Sequence, residues 1–323
     1  MAIRSILTGV GGYLPKRIVP NDELARRLET SDEWIRDRTG IRQRHLAGAT
    51  ETAAYMGTRA AQAALAMAEA TPQDVDAIIV GTSTPDQAFP STAARIQAEL
   101  GVPGGFAFDL SAACSGFIYG LSVADGLIRA GNAKGILVIG SEVYSRIMDW
   151  QDRGTCVLFG DGAGAAFLQA GEGTAKADRG ILSTHIHCQG SLGDILYVDG
   201  AVGRRELPGT LRMNGREVFR HAVTRLAEAV EEALAANSMS HDDVDWLVPH
   251  QANLRIIEAM GKRLHLPPER VVVTVDRHAN TSAASIPLAL AEAVADGRIQ
   301  RGDMVLMEAL GGGLTWGSAL VRM

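Results

Sequence analysis

The sequence is poor in cysteine. It has 3 in 323 residues, at Cys114, Cys156 and Cys188, and no two of them form a Cys-x-x-Cys pair. An odd, widely spaced set excludes a complete disulfide framework and predicts a reduced, cytoplasmic protein. Aromatic residues make up only 5% of the chain, so its core must pack through small and aliphatic side chains. No apolar run approaches the roughly 20 residues of a membrane span. The opening MAIRSILTGVGGYLP lacks the apolar region of a signal peptide. Basic residues are outnumbered, 31 against 37 acidic, for a net charge of -6. That balance speaks against nonspecific nucleic-acid binding and leaves room only for local basic clusters. In contrast, apolar residues reach 46% and glycine 36 positions, ample for one large domain or two medium ones.

Short apolar runs alternate with Ala-rich helical patterns. Strands are expected at 75–81, 104–110, 134–140, 164–170, 244–249, 270–276, 303–309 and 316–323. Helices are expected at 52–70, 91–100, 115–130, 216–236, 253–265 and 283–296. The alternation predicts an α/β fold with sheets buried between helices. An internal echo adds detail. QDVDAIIVGTSTPD resembles DDVDWLVPHQANLR, with Asp76 matching Asp245, and FDLSAACSGF lines up with VDRHANTSAA, with Asp109 matching Asp276. Such a repeat of one large unit implies duplicated halves, 1–172 and 173–323, joined near the Gly-rich stretch 171–180. It also places the loops around Cys114 and Asn280 at equivalent points, facing each other if the halves are related by a pseudo-twofold axis.

Four stretches carry chemistry. In DLSAACSGF, Cys114 has only small neighbours and precedes a helical pattern, where unpaired N–H groups favour a thiolate and lower the pKa. A small buried cysteine is the competing reading. In PHQANLR, His250 follows an apolar strand, where it could donate to an acyl oxygen or move a proton; by itself a loop histidine in a structural hydrogen bond is the favoured reading. In DRHANTSAAS, His278 and Asn280 precede another helix; an Asn amide can donate to an oxyanion, or simply cap the helix. The run Gly311 to Gly313 suits either backbone N–H groups aimed at a substrate oxygen or a tight hairpin turn. GDGAGAA lacks the spacing of a dinucleotide loop. HIH at 185–187 reads as an alternating strand rather than a metal site, Cys156 as a buried strand residue and Cys188 as incidental.

In this order TSDEWIRDRTGI, DLSAACSGF, DRGTCVLFGDGAGAA, WLVPHQANLRII, DRHANTSAAS and GGGLTWGSALV resemble one family, the β-ketoacyl-acyl carrier protein synthase III enzymes that initiate bacterial fatty-acid synthesis. The resemblance spans nearly the whole chain. It implies the thiolase fold, a duplicated αβαβα layered architecture with pseudo-twofold related halves, and a homodimer. It implies a triad of Cys114, His250 and Asn280, and an oxyanion hole from the N–H groups of Cys114 and Gly312. The implied reaction is ping-pong: an acyl-CoA primer, acetyl-CoA first among them, acylates Cys114. Malonyl-acyl carrier protein then loses carbon dioxide and condenses with the acyl group. No metal and no cofactor are implied, since acyl-CoA is a substrate.

The same resemblance assigns coenzyme A contacts to Thr30, Trp34, Arg38, Arg153 and Asn253. It assigns carrier-protein docking to Gln251, Ala252, Asn253, Leu254, Arg255, Arg220, Lys262 and Arg263, and the acyl pocket to Phe89 and Leu310, with Phe89 reaching a neighbouring subunit. Two departures bear on the primer. Leu310 and Leu314 stand where the family often carries aromatic residues, which predicts an altered primer preference. The segment 185–212 fits the family least. A specialised relative priming polyketide or quinolone synthesis is the alternative reading. A degradative thiolase is disfavoured because the glycine motif has no second cysteine beside it.

Overall fold

The computed structural model describes residues 2–173, 179–201, 203 and 209–323. Residues 174–178 of the expected junction at 171–180 and part of the segment 185–212 lie outside the described residues. The strands, in chain order, are β1 (Ala2–Tyr13), β2 (Arg17–Pro20), β3 (Gln43–Leu46), β4 (Ala77–Gly81), β5 (Phe106–Leu110), β6 (Gly135–Val143) and β7 (Asp161–Gly173). They continue with β8 (Gly180–Cys188), β9 (Leu196–Val198), β10 (Leu211–Met213), β11 (Trp246–Pro249), β12 (Met304–Gly311) and β13 (Thr315–Arg322). The helices are α1 (Asn21–Ala25), α2 (Asp32–Thr39), α3 (Ala53–Met67), α4 (Thr92–Leu100) and α5 (Gly116–Arg129). After them come α6 (Gly215–Ala236), α7 (Leu254–Arg263), α8 (Val275–His278) and α9 (Ser285–Ala295).

Two mixed sheets dominate. One has the order β1-β7-β6-β4-β5, the other β11-β12-β13-β8. At the first sheet's centre, β4 and β6 pair in parallel, and every residue of both is buried. That is why AIIVG and GILVIGSEV read as unbroken apolar runs and not as an alternation. Helices α5 and α9 pack between the sheets, α3 and α4 cover the outer face of the first, and α6 that of the second, with α7 packed against α6. Three hydrophobic clusters fill the interfaces of this αβαβα stack. Alanine dominates the seam under α3, where Ala53, Ala54, Ala60, Ala61 and Ala64 are all buried, as expected of a chain with few aromatics.

The halves repeat closely. A single helical turn at 113–115 leads into α5, and its counterpart at 282–284 leads into α9. Ala113 and Ser282 open these turns with positive φ, 45° and 52°. Strand β4 corresponds to β11, and β6 to β12. The proposed match of Asp109 with Asp276 is not an equivalence of this kind. Asp109 ends a strand, whereas Asp276 lies in the short helix α8. The strand expected at 270–276 is therefore absent. Val271 makes only an isolated bridge to Leu247, and the buried Gln251 carboxamide accepts the N–H groups of Thr274 and Val275 (2.7 and 3.0 Å) that a further ladder would need. The other strands and helices expected from the sequence form within a few residues of their predicted bounds. The ladders β2–β3 and β9–β10, strand β1 and helix α2 lie outside those expectations.

The match of Asp76 with Asp245 does hold. Asp76 Oδ2 accepts from Lys134 N (2.6 Å) and Gly135 N (3.1 Å), and Asp245 Oδ2 from Met304 N (2.8 Å). Each carboxylate ties the start of a central strand to its neighbour. Replacing either by alanine is expected to cost about 1–2 kcal/mol. Because the two sites are remote, the double variant should show the sum in chemical denaturation. Strong non-additivity would refute the independence of the two ties.

Candidate active site

One cavity of about 510 Å³ runs from the surface at Trp34, Arg38 and Arg153 to Cys114, His250 and Asn280. The three inner residues come from three loops, each following a central strand or opening a helix, and each is at most 6% exposed. Cys114 sits in the turn before α5. Its backbone nitrogen faces β12: a Cβ on Gly311 would lie 2.5 Å from Cys114 N, so only glycine fits there. The glycine run is thus both a hairpin turn between β12 and β13 and a wall of the cavity, where Gly312 is exposed to it. Thr315 fixes the same corner, its hydroxyl donating to Ala112 O (2.8 Å), while Ser115 Oγ donates to Thr315 O (3.0 Å).

Burial decides the electrostatics. It pushes the Cys114 thiol up to about 12, against the helix N-terminus, with the Ser282 hydroxyl acting the other way and the Glu142 carboxyl adding to the rise. Loss of solvent thus opposes the lowering expected from the helix N-terminus. The same burial takes the His250 imidazole down to about 3, leaving it neutral. His250 N donates to Glu308 O (2.8 Å), and the ring Nδ1 has no partner among the described residues. Asn280 is held at both ends of its backbone: its N donates to Leu158 O and its O accepts from Gly160 N, both 2.9 Å. Its Oδ1 accepts from Ser282 N (2.9 Å), which orients the carboxamide and leaves the Nδ2 hydrogens for the cavity. The inner end therefore holds a neutral thiol, a neutral imidazole and a neutral amide donor.

Two buried carboxyls nearby carry no weight in the sequence reading. Glu142 accepts from Thr84 Oγ1 (2.6 Å), Ser83 N (3.0 Å) and Ser282 Oγ (3.0 Å), and burial raises it to about 7. Glu308, on β12, has no partner for either oxygen among the described residues and is raised to about 8 by burial. The available signal was an acidic residue inside an apolar strand, GILVIGSEV and MVLMEALG.

At the mouth, Ser31 caps α2 by accepting from Trp34 N (3.0 Å). The Arg38 and Arg153 guanidinium carbons lie 4.5 and 5.2 Å from the Trp34 ring centroid. Asn253 caps α7 with Oδ1 and joins it to α2 by donating from Nδ2 to Arg38 O (3.0 Å). Thr30 stands outside the cavity lining, with its hydroxyl buried and unpartnered among the described residues. Arg255, Lys262 and Arg263 are exposed on α7, and Arg220 on α6. Arg255 donates to Asp37 O (2.9 Å), and Arg220 pairs with Glu217. Ala252 lines the cavity and Leu254 packs against Gly40.

Gln251 does not belong to the docking face. It is fully buried, donating to Pro249 O and Val272 O (2.9 and 3.0 Å), and its role is to brace the His250 loop. Leu310 lines the cavity, but Phe89 is 84% exposed and lies outside it within one chain. Leu314 is buried behind the wall. Cys156 is buried as expected but in a turn, not a strand, and Cys188 is exposed at the end of β8. His278 is outside the cavity lining, 3.4 Å from Glu292. His185 and His187 alternate on β8 as a strand should, and share Glu232. No group of three metal-ligating side chains with suitable geometry occurs among the described residues, and no helix among them is long and apolar enough to cross a membrane.

A thiol raised by burial has a direct consequence for alkylation. The rate of Cys114 modification by iodoacetamide, followed by site-resolved mass spectrometry, should still be climbing at pH 10. A plateau at pH 8 would mean that the helix N-terminus prevails over burial.

Two stretches match family descriptions, residues 108–190 the "3-Oxoacyl-[acyl-carrier-protein (ACP)] synthase III" and residues 234–323 its C-terminal part. The β-ketoacyl-[acyl-carrier-protein] synthase III of Acidiphilium cryptum is 69% identical over 319 residues, covering 99% of both chains. That of Granulibacter bethesdensis is 69% identical over 320 residues, again covering 99% of both. The crystal structure of 3-oxoacyl-[acyl-carrier-protein] synthase III from Aquifex aeolicus superposes with a TM-score of 0.93 at 47% identity, over 99% of this chain and 100% of that one. With such identity along its full length, and with both sheets and the buried helix pair in place, this chain belongs to the β-ketoacyl-acyl carrier protein synthase III family.

Proposed function

We propose that this chain condenses an acyl-CoA primer, acetyl-CoA first, with malonyl-acyl carrier protein to initiate fatty-acid synthesis in the cytoplasm. The observation that carries the reading is the single cavity that joins Cys114, His250 and Asn280 to Trp34 and Arg153 at the surface. The half 1–172 supplies the nucleophile, and the half 173–323 supplies His250, Asn280 and the glycine loop. The working unit is a homodimer, in which the exposed Phe89 of one subunit reaches the acyl pocket of the other.

The adenine of coenzyme A stacks between Trp34 and Arg153, and its arm passes Arg38 and Asn253 into the cavity. Thr30 contributes to the same mouth. The Cys114 sulfur attacks the thioester carbonyl, whose oxygen is held by the N–H groups of Cys114 and Gly312. The C–S bond to coenzyme A breaks, and the thiol proton leaves with the coenzyme A sulfur. Malonyl-acyl carrier protein then docks on Arg220, Arg255, Lys262 and Arg263, a basic face on an acidic chain that steers an acidic partner. Its malonyl C–C bond breaks to release carbon dioxide, and charge gathers on the thioester oxygen. Two neutral donors, the His250 ring and Asn280 Nδ2, suit that charge, and the dry cavity strengthens both hydrogen bonds. The enolate carbon attacks the acyl-cysteine carbonyl, the bond from that carbonyl to the Cys114 sulfur breaks to give the 3-ketoacyl thioester, and the released thiolate takes a proton from water.

Intact-protein mass after mixing with acetyl-CoA alone tests the first half. An acetyl adduct on the wild type and none on Cys114→Ser is expected; no adduct with any acyl-CoA would overturn the reading. Asn280→Ala should keep the adduct and lower condensation about 10²–10³-fold. Leu310→Phe should shift preference along an acyl-CoA series towards shorter primers. An unchanged series would remove Leu310 from primer selection.

A further inference from the structure

The side chain of Arg44, on β3, is the bulkiest among those fully buried in the described residues. Burial lowers its pKa to about 10, so it stays charged at neutral pH. It makes no carboxylate ion pair among the described residues. Its guanidinium donates to three neutral oxygens: Val19 O (3.2 Å), Asn21 Oδ1 (2.8 Å) and Val157 O (2.7 Å). Nε has no partner among the described residues. A buried cation without an anion is costly, and its retention calls for a use.

The use lies in what those oxygens belong to. Val157 opens the segment 157–160, which runs beside Asn280 as a parallel bridge centred on Phe159. Leu158 O takes the Asn280 N–H and Gly160 N gives to Asn280 O. The backbone of Asn280 is thus gripped by a segment that Arg44 grips from behind. Asn21, the second acceptor, donates in turn to Asp32 Oδ1 and Ile41 O (both 2.8 Å). Asp32 opens α2, the helix that carries Trp34 and Arg38. One guanidinium therefore braces the wall that holds Asn280 and the root of the helix that forms the mouth.

We infer that Arg44 is a positioning residue: by fixing the segment 157–160 it sets where the Asn280 amide points. The inference rests on the proposed role of Asn280 in malonyl decarboxylation. It requires Arg44 to matter far more for that step than for acylation of Cys114, whose oxyanion donors belong to other loops. A displacement of about 1 Å at such a donor can cost about 10²-fold.

The test uses the full chain and separates the two half-reactions. Acylation is read as the rate of acetyl adduct formation at saturating acetyl-CoA alone, so that weaker binding at the α2 mouth drops out, and condensation as product formed at saturating malonyl-acyl carrier protein. Arg44→Met should keep acylation within about threefold and lower condensation at least about tenfold. Arg44→Lys keeps the charge but not the fork of donors, and should fall between. Parallel loss of both half-reactions, or undiminished condensation in a folded Arg44→Met, overturns the inference. If neither Arg44 variant folds, Gly160→Ala decides. Its Cβ would meet His278 O at 2.8 Å and Arg44 Cβ at 3.2 Å, displacing the segment against Arg44 without removing the guanidinium. The same split is required, and parallel loss overturns it. A wild type that forms neither adduct nor product refutes the proposed function instead.

Discussion

The contact between two helix-opening turns, 113–115 and 282–284, is what the rest of the structure depends on. They meet where the two sheets send their central strands towards one another, and only small residues allow it. Ala113 and Ser282 take up the left-handed backbone that reverses each strand into its buried helix. The Ser282 hydroxyl then bridges Glu142, at the end of β6, and Tyr144 just beyond it, donating to one and accepting from the other (both 3.0 Å). Cys114 and Asn280 belong to distant parts of the chain, and this packing brings them into one cavity.

The closeness of that packing has an electrostatic result. With water excluded, Cys114, Glu142 and Glu308 are all pushed towards their protonated forms and His250 towards its unprotonated one. Every one of these shifts favours the uncharged species, as desolvation demands. Burial lowers Arg44 as well, to about 10, but from so high an ordinary value that its charge survives beside the site, where three neutral oxygens accept from it. A site of neutral donors is suited to negative charge that appears only during reaction, since no resident anion or cation must be displaced first.

The cavity also explains why so many of its supports are backbone groups. Asn280 is fixed through its own N–H and C=O, His250 through a bond to Glu308 O, and Cys114 by the approach of Gly311. Such holds survive exchange of surface side chains. They also transmit any shift of the 157–160 segment directly to the reacting groups.

Much of this was legible in the sequence. Alternation of apolar runs with helical patterns foretold the layered α/β fold, and the Asp76–Asp245 echo foretold the duplication. Small neighbours, strand-end placement and turn chemistry, which are local properties, marked Cys114, His250, Asn280 and the glycine run as candidates, and the family resemblance joined them into one site. What failed depended on partners far along the chain. Residues 270–276 look like a strand, but Gln251 takes their donors. Gln251 looks like a surface residue beside Arg255, yet it is buried. Cys114 looks like a thiolate at a helix end, yet loss of solvent opposes that. Arg44, Glu142 and Glu308 gain their meaning only from what surrounds them. The sequence by itself determined which elements form and which residue types reach the strand ends, since periodicity and turn chemistry are written within a few residues. Tertiary structure alone decided burial, protonation and the partner of each polar group, since these depend on distances between segments that no local pattern encodes.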